Sequence, residues 1–88
     1  MKTLKRIELN MGEIRRTELV DYFLEIGKES ADFHRFTGQG WEVEVGDEFF
    51  EKFGAFGIRR VIVEIRVEEE LFQDFLEKFR LRFLRAGG

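Results

Sequence analysis

Ile58-Arg59-Arg60-Val61-Ile62-Val63-Glu64-Ile65-Arg66-Val67 runs straight into Glu68-Glu69-Glu70-Leu71-Phe72. In the first stretch Val61, Val63, Ile65 and Val67 share one parity, and Arg60, Glu64 and Arg66 share the other. A period of two with one apolar set predicts a half-buried β-strand over 58–67. The period then changes. Phe72, Phe75, Leu76, Phe79 and Phe83 recur at steps of three and four, which predicts a helix from Glu68 to Arg85. Its charges suit the helix dipole: Glu68, Glu69 and Glu70 stand at the positive end, and Lys78, Arg80, Arg82 and Arg85 at the negative end.

Upstream, glycines punctuate shorter strands. Asp32 to Thr37 reads as one strand, and Gly38-Gln39-Gly40 as a hairpin loop. Trp41, Val43 and Val45 alternate with Glu42 and Glu44, a second half-buried strand. Gly46-Asp47 reads as a turn. Glu48 to Phe53 is ambiguous: Phe49, Phe50 and Phe53 fit one helical turn capped by Asp47, while Phe49, Glu51 and Phe53 fit a strand. The strand is favoured because hairpin neighbours on both sides make a meander. Gly54-Ala55-Phe56-Gly57 lacks the Lys-Ser/Thr of a phosphate loop and reads as a turn or bulge.

At the N-terminal side, Thr3 to Leu9 predicts a strand with Ile7, Leu9 and Met11 on one parity. Asn10 with Glu13 has the spacing of a capping box, and Leu9 with Ile14 that of a hydrophobic staple. The expected helix runs to Ile26 with Gly27 just beyond it. Its apolar face is Ile14, Leu19, Tyr22, Phe23 and Ile26, widened by Val20 and Leu24. Glu18 interrupts that face, which makes Thr17 a rival start. The predicted order is β-α-β-β-β-β-α over a single domain, 1–88. This is an α+β fold: an antiparallel sheet of four or five strands with the 14–26 and 69–85 helices on one face.

Composition mainly excludes. With 88 residues there is room for one modest core, burying about 60–65% of the unfolded chain's surface. There is no cysteine and one histidine, so disulfide frameworks, zinc fingers and thiol nucleophiles are out. No metal or cofactor is expected. No apolar run approaches a membrane span, and Met1 to Arg6 has no apolar stretch for a signal peptide, so a cytoplasmic protein is expected. A net charge of −3 argues against a nucleic-acid partner. A charged fraction of 38%, with Asn10, Gln39 and Gln73 the only amide side chains, is a thermophile-like bias. Eleven phenylalanines are more than one small core needs to hide.

Catalytic constellations are weak. Ser30, Asp32 and His34 are the residue types of a hydrolase triad, but side chains two apart on a strand stand roughly 7 Å apart, too far to bond. Glu42, Glu44 and Glu64 share an outer sheet face, where Arg60 and Arg66 are expected to pair with them. Lys78, Arg80, Arg82 and Arg85 spread around a helix axis and do not form a phosphate-binding stripe. Phe49, Phe50, Phe53 and Phe56, lying between two glycine turns, form the candidate interface, for a homodimer or another protein partner. Gly87-Gly88 forms the other candidate. A Gly-Gly end is the handle of ubiquitin-like and sulfur-carrier proteins, whose tails must thread a narrow active site without a Cβ.

Gly40-Trp41-x-Val43, Gly57-Ile58-x-Arg60-Val61 and the run from Phe79-Arg80-Leu81 to Gly88 resemble the small C-terminal domain of proteins related to the molybdopterin-synthase small subunit. The resemblance implies a TBP-like fold, β-α-β4-α, with no established activity. In such proteins a β-grasp domain precedes this one, so the resemblance does not extend a carrier role to this chain. The expected function is therefore a non-enzymatic interaction or self-association domain; the alternative is a small carrier using Gly87 and Gly88.

Overall fold

The computed structural model describes residues 3–83. The long alternating stretch is the spine of the fold. It forms β6, Phe56–Glu68, and β1 (Leu4–Gly12) lies antiparallel along one of its edges, from Leu4 opposite Glu68 to Gly12 opposite Arg60. The other edge is shared in series. β4 (Trp41–Val45) pairs with residues 63–67 of β6, and β5 (Phe49–Phe53) pairs with residues 56–60. β3 (Arg35–Gly38) pairs with β4, and β2 (Lys28–Ala31) pairs with β3 at the outer edge. The sheet is six-stranded and antiparallel throughout, in the order β1-β6-β4-β3-β2, with β5 beside β6.

Both helices, α1 (Arg16–Ile26) and α2 (Glu69–Phe83), lie on one face. That face is the parity expected from the sequence: Val61, Val63, Ile65 and Val67 are fully buried beside Val43, Val45, Phe36 and Met11. Leu19, Tyr22 and Phe23 of α1 and Leu76 and Phe79 of α2 close the core from above. Phe79 is its keystone: its ring stacks on Phe23 at 5.8 Å and meets Tyr22 and Phe83 at 5.8 and 5.0 Å. Trp41 reaches Phe75 at 5.3 Å and seals one end. The α+β class and the shared helical face agree with the sequence, and the helix–strand order does so except for one further strand, six where four or five are expected.

The boundaries differ in instructive ways. β1 runs past Asn10, which stays in the ladder opposite Ile62 and caps nothing. The parity of Ile7, Leu9 and Met11 continues to its end, because Met11 is 3% exposed opposite Val61. Glu13 then takes a left-handed turn with φ 61° and donates its N–H to the Arg59 carbonyl at 2.9 Å. The helix starts at Arg16, one residue before the rival start, Thr17. Glu18 supplies the reciprocal bond of a capping box by accepting the Arg15 N–H at 3.1 Å.

The Asp32–Thr37 strand is also corrected. Asp32 and Phe33 both have positive φ, 45° and 58°, and His34 N–H bonds the Ala31 carbonyl at 2.8 Å. This is a type I′ reversal between β2 and β3. β2 went unread because Lys-Glu-Ser-Ala carries no apolar alternation; it is held by its ladder alone. Gly46-Asp47 does not reverse the chain. Gly46 N–H bonds the Ile62 carbonyl at 2.9 Å, so β4 and β5 are two segments of one strand path along β6, and no meander forms. Glu48–Phe53 is strand from Phe49 onward, and the reversal is at Gly54-Ala55, where Gly54 has φ 61° as the first residue of a two-residue hairpin turn. Gly27 follows α1 as expected, but its backbone is extended and not left-handed. Its need for glycine is steric: a Cβ there would lie 2.3 Å from the Thr37 carbonyl and 2.5 Å from Trp41.

Candidate functional site

β6 is longer than any neighbour, and the consequence is a projecting arm. β1 ends opposite Arg60 and β4 ends opposite Val63. Beyond them, Phe49–Phe53 and residues 56–59 form a two-stranded ribbon closed by Gly54-Ala55. The molecule is correspondingly long, 49 × 30 × 21 Å. A two-stranded ribbon is marginal in water unless something packs on it. This one carries Phe49, Phe50, Phe53 and Phe56 at 41%, 67%, 49% and 76% exposure.

Pairing sorts those rings between the two faces. Phe49 lies opposite Arg60, Glu51 opposite Ile58 and Phe53 opposite Phe56, so Phe49, Phe53, Phe56 and Ile58 share the face turned away from the helices. Phe50 lies opposite Arg59 on the other face. The Arg59 guanidinium sits 5.9 Å from its ring, and the ring also covers Gly57. The ribbon is held by few polar contacts: Arg60 Nε donates to Glu51 at 2.9 Å, and Arg59 stands 3.7 Å from Glu48. Glu48 in turn accepts the Arg16 N–H at the start of α1 at 3.0 Å, tying the base of the arm to the helix.

Along the helix-free face the chemistry then changes from aromatic to charged. Arg6, Glu8, Arg35, Glu42, Glu44, Glu64 and Arg66 occupy its other end. Arg35 bonds Glu44 at 2.8 Å, Arg66 bonds Glu42 at 2.9 Å, and Arg6 Nε bonds Glu64 at 2.6 Å. The hydrogen bond from Arg6 holds the Glu64 carboxyl below the usual carboxylate range, against the effect of its partial burial. The bond to Glu44 holds the Arg35 guanidinium further toward its charged form. These carboxylates are partnered by arginines and are not arranged as a metal or acid–base pair. Arg60, expected to join them, turns to Glu51 instead.

The remaining sequence candidates separate. Ser30 Oγ donates to the Arg35 carbonyl at 3.3 Å, whereas His34 touches the Asp32 carbonyl and the Asp47 carboxylate, each at 2.9 Å. No triad is assembled. The His34 bond holds the Asp47 carboxyl below its ordinary range and fastens the β2–β3 turn to the strand path. Arg16 joins the same corner, donating to the Gly46 carbonyl at 2.8 Å and to the carbonyls of Phe33 and Val45. No residue pattern in the sequence marks this knot, because the acceptors that Arg16 gathers are backbone carbonyls. On α2, Lys78 pairs with Asp74 and Arg82 with Glu25, at 3.2 and 2.9 Å. No cluster of metal-ligating side chains occurs among the described residues, and none of their helices is long and apolar enough to cross a membrane. Gly87 and Gly88, together with Arg85, lie outside the described residues.

A sequence model described as archaeal MoaD-like protein matches residues 7–88. No curated protein matches the chain.

Proposed function

The chain belongs to the archaeal MoaD-like family, and from that premise we propose that it works without catalysis, by non-covalent association through the aromatic arm. The observation that carries this reading is the exposure of Phe49, Phe50, Phe53 and Phe56 on a ribbon that, among the described residues, no other strand flanks. Rings on such a ribbon gain most from a partner that removes them from water, since full burial of one Phe stabilises by about 1.5–3 kcal/mol. Arg59 and Arg60 around the rings provide the polar rim of an interface. The β-α-β order also supports the finer reading of a TBP-like relative of the C-terminal domain described above. A photo-crosslinking phenylalanine at position 56, in the native cell, tests the proposal. The arm position should yield a discrete adduct, whereas the same group at Leu81, 73% exposed on α2, should not. Equal labelling from both positions, or none from the arm, would count against it.

A second reading is favoured by the family match, which extends through Gly87-Gly88. In it the chain is a small carrier whose terminal carboxylate is adenylated and then converted to a thiocarboxylate, the chemistry that a Gly-Gly end serves in sulfur-carrier proteins. This reading requires Gly88 to bear that carboxylate. Intact mass of protein recovered from its native cell decides it: a C-terminal adenylate or thiocarboxylate supports the carrier, and an unmodified terminus speaks against it.

A further inference from the structure

We infer that the partner of the arm is a second copy of this chain, joined to the first through the outer edge of β5 in a two-fold register centred on Phe50. The inference rests on the arm being an association surface. It adds an identity for the partner and a residue-by-residue pairing.

The free edge comes first. Phe53 and Phe56 flank a two-residue turn, so they form a hydrogen-bonded pair, and bonding then alternates along the ribbon. Phe49, Glu51 and Phe53 therefore direct their N–H and C=O groups at β6. Phe50 and Lys52 direct theirs outward. Among the described residues no backbone group outside the ribbon bonds to them. An edge of this kind is a template for another strand.

Symmetry then restricts the register. Two copies of one antiparallel strand related by a two-fold axis pair about a residue that faces itself. β5 offers five centres. Centring on Phe49 sets Asp47 against Glu51 of the second copy, a pair of like charges, and centring on Phe53 runs the pairing into the Gly54-Ala55 turn. Centring on Glu51 sets Glu51 against Glu51 of the second copy, and centring on Lys52 sets two ammonium groups together; like charges directly opposite are destabilising. Centring on Phe50 sets the two Phe50 rings together on the axis and places Lys52 of each copy opposite Glu48 of the other. This contact is between opposite charges and occurs twice in the dimer. Lys52 on an exposed edge ordinarily discourages pairing; in this register it is matched. The outward groups of Phe50 and Lys52 are also in phase for the new ladder.

Sedimentation equilibrium of the full chain across the micromolar range tests the pairing. The wild type should dimerise. Lys52→Glu and Glu48→Lys should each weaken the dimer about tenfold, and the double variant should recover to within about threefold of wild type. Glu48 also accepts the Arg16 N–H, so if Glu48→Lys does not fold, Lys52→Glu with Glu48→Gln as the conservative partner carries the same comparison. A dimer indifferent to these changes would overturn the register. A wild type monomeric at all concentrations would overturn the second copy as partner. In that case a discrete foreign adduct from position 56 leaves the arm as an association surface, and its absence removes both.

Discussion

Phe79 and Gly27 carry more of the fold than their neighbours suggest. Phe79 is fully buried and touches three other rings, so Phe79→Ala removes a large side chain from the centre of a small core. The expected loss is about 3–5 kcal/mol in chemical denaturation. That is a large share of the roughly 4–13 kcal/mol implied by about 0.05–0.15 kcal/mol per residue. Phe83→Ala should cost less, because Phe83 is only partly buried. Gly27→Ala drives a Cβ into the Thr37 carbonyl, a backbone atom that cannot rotate away, and should cost about 1–3 kcal/mol. Glu64 adds a pH dependence. Its folded-state carboxyl titrates below its unfolded value, so its contribution is present above the ordinary carboxylate range and is lost as pH falls through the folded value. The melting temperature of wild type should therefore exceed that of Glu64→Gln near neutral pH, and the two should converge in acid. A difference that persists or grows in acid would contradict the assignment.

Among the elements, the sequence was most legible where one face is buried. β6 and α2 were read from period alone, because Val61 to Val67 and Phe72 to Phe83 pack against the same core. Where an element is held by backbone bonds with no apolar face, as β2 is, period carries nothing. The start of α1 shows a different limit. Asn10 and Glu13 match a cap by spacing, but burial of Met11 keeps the chain in strand, and tertiary packing outweighs a local bond of about 1 kcal/mol. The cap that forms uses Glu18, and Glu18→Ala should lower stability by about 0.5–1 kcal/mol with the sheet unchanged in its amide spectrum. The arm was legible in composition as surplus phenylalanine. Its projection was not, since it depends on β1 and β4 ending short of the β5–β6 turn, and strand lengths relative to one another are invisible in a periodicity.

For the molecule as a whole, one sheet face is polarised along its length, with an arginine–carboxylate network at one end and aromatic rings at the other. The networked end is satisfied within the chain; the aromatic end is not. Association through the arm would lengthen a ribbon of two strands into one of four and remove the edge that β5 leaves open. Amide hydrogen exchange, followed as a function of protein concentration, reads this directly. The account predicts that the N–H groups of Phe50 and Lys52 become protected as concentration rises, while those of Phe49, Glu51 and Phe53, already bonded to β6, change little. Exchange at Phe50 and Lys52 that is fast and independent of concentration would contradict it.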